Sequence, residues 1–246
     1  MLDLNKIKIP KLKDQAFDRN AIRKDYLRQN CKLAVKNLIK NNFEAHYCDS
    51  IEEAKNLVLS LIPDNGTIGF GDSHTIFALD LDAELEKKNC IAIPHTCAVN
   101  NYAMENHSPG FEIIGTKEEM REILMQYLVA NVFMLGANAI TMDGQIINID
   151  GTGNRIAGSL YGSDRIIIVA GANKLVKDLN AGLERIRFVA AQMNNIKYSN
   201  ELACNLSGLC NDCRSEQRYC NITSIIHKKP DDSDFHVVLI GEDLGF

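Results

Sequence analysis

The chain has 246 residues, 46% of them hydrophobic and 24% charged, with five Pro and 16 Gly, a balance that excludes a disordered chain. A net charge of −5 and a pI near 5.7 argue against a general nucleic-acid surface. No apolar run approaches the ~20 residues of a membrane helix, so neither nucleic acid nor membrane is expected as a partner.

Residues 1–40 carry eleven Lys and Arg against four Asp. With no uninterrupted apolar core there, an export signal is not expected and a cytoplasmic location is. Ile22, Tyr26, Leu27, Leu33, Ala34 and Leu38 among these charges predict an amphipathic helix with a solvated basic face.

Apolar strands and amphipathic helices then alternate. Strands are predicted at Glu44 to Cys48, Thr67 to Phe70, Cys90 to Ile93 and Val132 to Leu135. Between them, Ile51, Ala54, Leu57, Val58 and Leu61 mark one helix, ended by Pro63-Asp64-Asn65-Gly66; Met120, Ile123, Leu124, Tyr127 and Leu128 mark another. Asp143-Gly144 between two β-rich arms predicts a hairpin with positive φ at both turn residues. Arg165 to Ala170 is an apolar strand, followed by a helix expected to carry Leu175, Leu179, Leu183, Ile186 and Ala190 on one face. Phe235 to Ile240 returns as a late strand. Strands covered on both faces predict an α/β fold: an open, mostly parallel sheet with flanking helices, an N-terminal helix and a Cys-rich C-terminal segment. The divisions are 1–42 (helical), 43–196 (α/β core) and 197–246 (Cys-rich segment and return strand).

Four segments carry chemistry. Gly69, Gly71, Asp72, Ser73 and Thr75 lie at a strand-to-helix junction, where glycines admit a ligand to backbone N–H groups and a Ser caps the helix. The charge of Asp72 counts against phosphate, and His74 reads as a packing residue more than a base. Asp150, Gly151, Thr152, Gly153, Asn154 and Arg155 put backbone donors, an amide and a guanidinium on one rim; Arg155 can fork onto an anion, or salt-bridge to Asp150 in a tight turn. Gly171, Asn173 and Lys174 follow the most apolar strand, where an open α/β sheet places its ligand. His95-Thr96-Cys97 reads as loop packing more than a nucleophile pair.

The fourth segment is Cys204-x5-Cys210-x2-Cys213-x6-Cys220, four of the eight cysteines. Clustered thiols in a reducing compartment favour a metal over disulfides. With no His between them the site would be all-thiolate, with Arg214 and Arg218 offsetting its charge. An iron–sulfur cluster, a tetrahedral zinc ion, and free thiols or a redox disulfide all stay open.

Residues from about Leu33 to Asn194 resemble the lactate-utilisation (LUD) domain family. The likeness rests on Gly69-Phe70-Gly71-Asp72-Ser73-His74-Thr75, on Leu135-Gly136-Ala137-Asn138-Ala139-Ile140-Thr141-Met142-Asp143-Gly144, and on Asp150 to Arg155. It implies a fold similar to ribose-5-phosphate isomerase, glucosamine-6-phosphate deaminase and CoA transferases, whose loop at the position of Gly69 to Thr75 binds phosphate or an anionic substrate. Asn138 joins the candidate binding residues on this basis. Where CoA transferases place a catalytic Glu, this chain has Met142, and a thioether forms no acyl anhydride. The Cys-rich tail is similar to that of a subset of the family.

The leading expectation is thus a protein that binds a small anionic metabolite, in or beside an iron–sulfur redox system for lactate-type hydroxy acids with iron–sulfur partner subunits. The rivals are a stand-alone isomerase or hydrolase of a phosphorylated metabolite, with Asp72, His74 or Asp150 as base, and a non-catalytic subunit stapled by zinc. No Gly-x-Gly-x-x-Gly fingerprint for a dinucleotide occurs.

Overall fold

A computed structural model describes residues 3, 17–93, 117–197 and 201–246; His95 and Cys97 lie outside them. Six strands form a parallel sheet: β1 (Glu44–Cys48), β2 (Thr67–Phe70), β3 (Ile91–Ile93), β4 (Val132–Gly136), β7 (Arg165–Gly171) and β10 (Asp234–Ile240), in the order β1-β10-β7-β4-β2-β3. Parallel strands need crossover connections, and those connections cover both faces of the sheet.

Period-two alternation divides the central strands between two cores. Phe133, Leu135, Ile166, Ile168, Phe235 and Val237 face helix α1 (Arg19–Lys40), which adds Cys31, Ala34 and Leu38. Val132, Met134, Ile167, Val169, Val238 and Ile240 face helices α2 (Ile51–Leu61), α3 (His74–Phe77) and α4 (Asp82–Lys87). Apart from Arg165, Asp234 and His236 toward their amino ends, these strands are apolar on both faces because neither face meets water. The late strand β10 enters the middle of the sheet, between β1 and β7.

Helix α1 forms where the pattern predicts it, yet Ile22, Tyr26 and Leu33 are exposed. Its buried stripe is Cys31, Ala34 and Leu38, with Leu27 and Val35 packed beside it, so the helix meets the sheet from Leu27 onward.

A smaller sheet, β8-β5-β6-β9, comprises β5 (Ala139–Thr141), β6 (Ile146–Asp150), β8 (Leu175–Val176) and β9 (Ile222–Ile226). Strands β5 and β6 form the expected hairpin, but only Gly144 of its turn has positive φ, +87°. The Gly144 N–H donates to the Thr141 carbonyl, and the Thr141 N–H to that of Gln145. This is a type I turn closed by a left-handed glycine, not the two-residue turn the sequence suggests. Leu175 belongs to strand β8, which pairs with β5; the following helix begins at Leu179 under an Asp178 cap. Strand β9, which directly follows the four cysteines, pairs antiparallel with β6.

Two further helices matter for the site: α5 (Lys117–Gln126), between β3 and β4, and α6 (Asn154–Leu160), after β6. Helix α7 (Leu179–Arg185) passes through a π-helical turn, Ile186–Ala190, into α8 (Ala191–Lys197); a short α9 (Ala203–Ser207) follows. Among the described residues no helix is long and apolar enough to cross a membrane.

Candidate functional site

From β2 the chain moves outward to β3; from β4 it moves the other way, to β7 and then β10. The direction reverses between β2 and β4, and a crevice opens beyond their carboxyl ends, as expected for an open α/β sheet. A cavity of about 170 Å³ lies there, lined by Asp72 to Thr75 after β2 and Gly136 to Asn138 after β4. Asp150 to Thr152, Asn154, Arg155, Lys174, Lys197, Tyr219 and Cys220 complete its polar wall.

Hydrogen bonds hold these loops rigidly. Asp150, buried, accepts from the N–H groups of Thr152 at 3.2 Å, Arg155 at 3.1 Å and Ile156 at 3.2 Å, so its carboxylate caps α6. The Arg155 guanidinium donates to the Ile149 carbonyl at 2.6 Å and stands 3.9 Å from Asp150. Arg185 donates to the carbonyls of Asn138 at 2.5 Å and Asn173 at 2.9 Å, tying the loop after β4 to the loop after β7. The Asn138 side chain in turn accepts from Ile149 N–H at 2.9 Å.

Two lysines dominate the electrostatics. Lys197 Nζ meets both carboxylate oxygens of Asp72, at 2.8 and 3.0 Å, with side chains 4% and 13% exposed. The like-charge objection to an anion near Asp72 is therefore met by a buried counter-ion. Lys174 is 3% exposed and makes no hydrogen bond or ion pair with the described residues. Burial, with the nearby Arg185 charge adding to it, pulls its amine down to about 7. A buried ammonium at a cavity wall is costly for folding alone.

A second, smaller cavity adjoins the first. All four clustered cysteines line it, with Asn195, Leu202 and Asp212. Ile149, Ala191 and Cys220 line both cavities, and the π-helical turn runs between them. π-Turns recur at functional sites because their wide turn displaces side chains from regular helical positions. Asn195 Nδ2 donates to Cys204 Sγ at 3.3 Å, while Arg218 donates to the Cys213 carbonyl at 2.6 Å and the Cys220 carbonyl at 3.0 Å. The Asn195 Oδ1 atom is buried without a partner among the described residues. None of the four thiols is in a disulfide, and among the described residues no three His, Cys, Asp or Glu side chains close on a single-ion geometry. Closing on a metal would require segment 204–220 to draw in.

Of the residues singled out from sequence, Asp72, Ser73, Thr75, Asn138, Asp150, Gly151, Thr152, Asn154, Arg155 and Lys174 line the first cavity. Gly69, Gly71, Gly153, Gly171 and Asn173 are not among its lining residues. Asn173 holds the C-terminal segment, accepting from Leu244 N–H at 3.0 Å and donating to the Gly245 carbonyl at 3.1 Å. Gly151 matters for close approach: a Cβ there would lie 3.0–3.2 Å from atoms of Tyr219. His74 lines the cavity and packs against Phe246, ring centroids 4.6 Å apart. Lys197, Tyr219 and Asn195 escaped sequence reasoning. The polar Asn194-Asn195 at the end of an apolar helix was the one local signal for them.

A family model for the LUD domain matches residues 31–240. Among curated proteins none matches. A DUF162 family protein from Deinococcus radiodurans superposes with a TM-score of 0.47 at 12% identity, over 87% of this chain and 98% of that one. Translation initiation factor eIF-2B from Pyrococcus horikoshii OT3 gives a TM-score of 0.35 at 18% identity, over 55% of this chain and 50% of that one. The eIF2B delta of Chaetomium thermophilum gives 0.30 at 16%, over 65% and 54%.

Proposed function

The chain belongs to the LUD domain family, and on that premise we propose that it binds a small anionic metabolite, a lactate-type hydroxy acid or the matching oxo acid, beside a four-thiolate iron–sulfur centre. The observation that carries this reading is the shared wall: Cys220 lines both the lysine-bearing cavity and the cavity of the four cysteines. A cavity of about 170 Å³ suits a compact metabolite better than a large cofactor.

Lys174, Arg155 and Lys197 supply the positive side of the anion site, and Asn154 and Thr152 its polar rim. Cys204, Cys210, Cys213 and Cys220 would hold the cluster. The donor chemistry supports this reading, with four thiols on one cavity, an amide N–H on one sulfur and Arg218 bound to the backbone of two of the cysteines, once segment 204–220 draws in. A cluster bound there supplies electron transfer at the edge of the metabolite cavity. The isomerase or hydrolase alternative needs a general base; Asp72 and Asp150 are already engaged, with Lys197 and with the cap of α6, which leaves it His74 on the cavity wall.

Anaerobic purification followed by iron, sulfide and zinc analysis tests the centre. A thermal-shift series with L-lactate, pyruvate, ribose 5-phosphate and a CoA ester tests the anion site. Iron and sulfide, with shifts for the small acids, are expected. Zinc alone, with a shift only for the sugar phosphate, would replace this reading by the isomerase with a structural metal.

A further inference from the structure

We propose that the Lys174 amine captures the carbonyl carbon of a small 2-oxo acid as an imine inside the first cavity, an inference that rests on the anion-site reading above. Lys174 is 3% exposed, lines the cavity, and makes no hydrogen bond with any described residue. A lysine placed only to hold the fold would have its ammonium paired, as Lys197 is with Asp72. The two other cations of the wall, Arg155 and Lys197, lie beside the carboxylates of Asp150 and Asp72. Lys174 has no such carboxylate among the described residues to hold its proton. Desolvation and the Arg185 charge both favour loss of that proton, and the neutral amine is the nucleophile.

The remaining parts suit a 2-oxo acid. Arg155 has N–H groups beyond the one given to Ile149, which can take the carboxylate. The step conserves atoms and moves no electrons between redox partners. The nitrogen lone pair attacks the carbonyl carbon and the carbon–oxygen π bond breaks. The carbinolamine then loses its oxygen, with the two former N–H hydrogens, as one water, leaving a carbon–nitrogen double bond.

Borohydride trapping of the full chain decides the matter. The protein is incubated with pyruvate and reduced; the adduct is counted by intact mass and located by peptide mapping. One adduct per chain on Lys174 is expected, lost in Lys174→Met and Lys174→Arg and kept in Lys177→Met, whose side chain is 88% exposed. Mapping the unaltered chain needs no variant, so a misfolded substitution leaves the test intact. Melting curves with pyruvate, without reductant, run in parallel. If pyruvate raises the melting temperature but no adduct forms, or adducts spread over exposed lysines, the imine is overturned and the anion site stands. If pyruvate and L-lactate neither bind nor label, both fall.

Discussion

Lys197 and Asp72, 125 residues apart in sequence, meet through two contacts of 2.8 and 3.0 Å at the cavity wall. The pair clamps the end of α8 to the loop after β2 with both side chains largely out of water. Removing one partner of such a pair leaves a buried charge uncompensated, at about 3–5 kcal/mol. Lys197→Met and Asp72→Asn should each destabilise on that scale, and the double variant should recover much of the loss. Urea unfolding of the four proteins measures this; additive losses would mean that the two residues do not interact.

Arg155 is both a wall of the cavity and a brace. Its guanidinium donates to the Ile149 carbonyl at 2.6 Å, a geometry that lysine does not reproduce. Arg155→Lys should therefore lower apo stability by about 1–3 kcal/mol and weaken anion binding by about 1.5–3 kcal/mol. Denaturant melts and calorimetry separate the two losses. Unchanged stability with weaker binding would show that the brace carries no weight.

Lys174 makes stability pH-dependent. Its amine titrates near 7 in the folded chain and near 10.5 unfolded, so below pH 7 folding bears the full cost of burying the charge. The cost fades as pH rises from 7 towards 10.5. Lys174→Met should be more stable than the parent at pH 6, with the gap shrinking as pH approaches 10. Melting temperatures across that range would contradict this if the gap stayed constant.

The four clustered thiols should act as a unit. Cys213→Ser should lose metal and expose residues 201–222 to protease, since a metal centre needs several ligands at once. Cys90→Ser is the control: Cys90 is half-buried beside the Pro63 carbonyl, far from the cluster in sequence, and its loss should leave metal content intact. Metal analysis after anaerobic purification reads both; equal metal in all three proteins would remove Cys213 from the ligand set.

Gly144 is held at φ +87° against helix α1, where a Cβ would come within 2.8 Å of backbone atoms of Asn37 and Leu38. Asn37 and Asn41 donate to carbonyls of the same turn. Gly144→Ala should cost about 1–3 kcal/mol through backbone strain, plus the displacement of α1. A chemical melt unchanged by the substitution would mean that the turn is not seated on the helix.

The β4, β7 and β10 strands were legible because unbroken Ile, Val, Leu and Phe runs have no stable place except a sheet covered on both faces. The loops after β2, β6 and β7 were legible because Gly, Ser, Asn and Asp signal turns and caps locally. Local signals erred where burial is decided by a distant partner. Ile22, Tyr26 and Leu33 follow a helical period but are exposed, and Leu175 joins a strand because β5 offers it an edge.

By itself the sequence determined the alternation of strands and helices, the crossover class of the fold, ten cavity residues and the four-cysteine cluster, all of them properties of neighbours along the chain. Only the tertiary structure decided the strand order, the reversal between β2 and β4 that opens the crevice, and the insertion of β10 into the centre. It also decided the pairing of Lys197 with Asp72, the isolation of the Lys174 amine, and the contact of the two cavities at Cys220. The physical reason is that strand pairing, charge pairing and desolvation depend on contacts between segments distant in the chain, 125 residues apart for Lys197 and Asp72, which local periodicity does not encode.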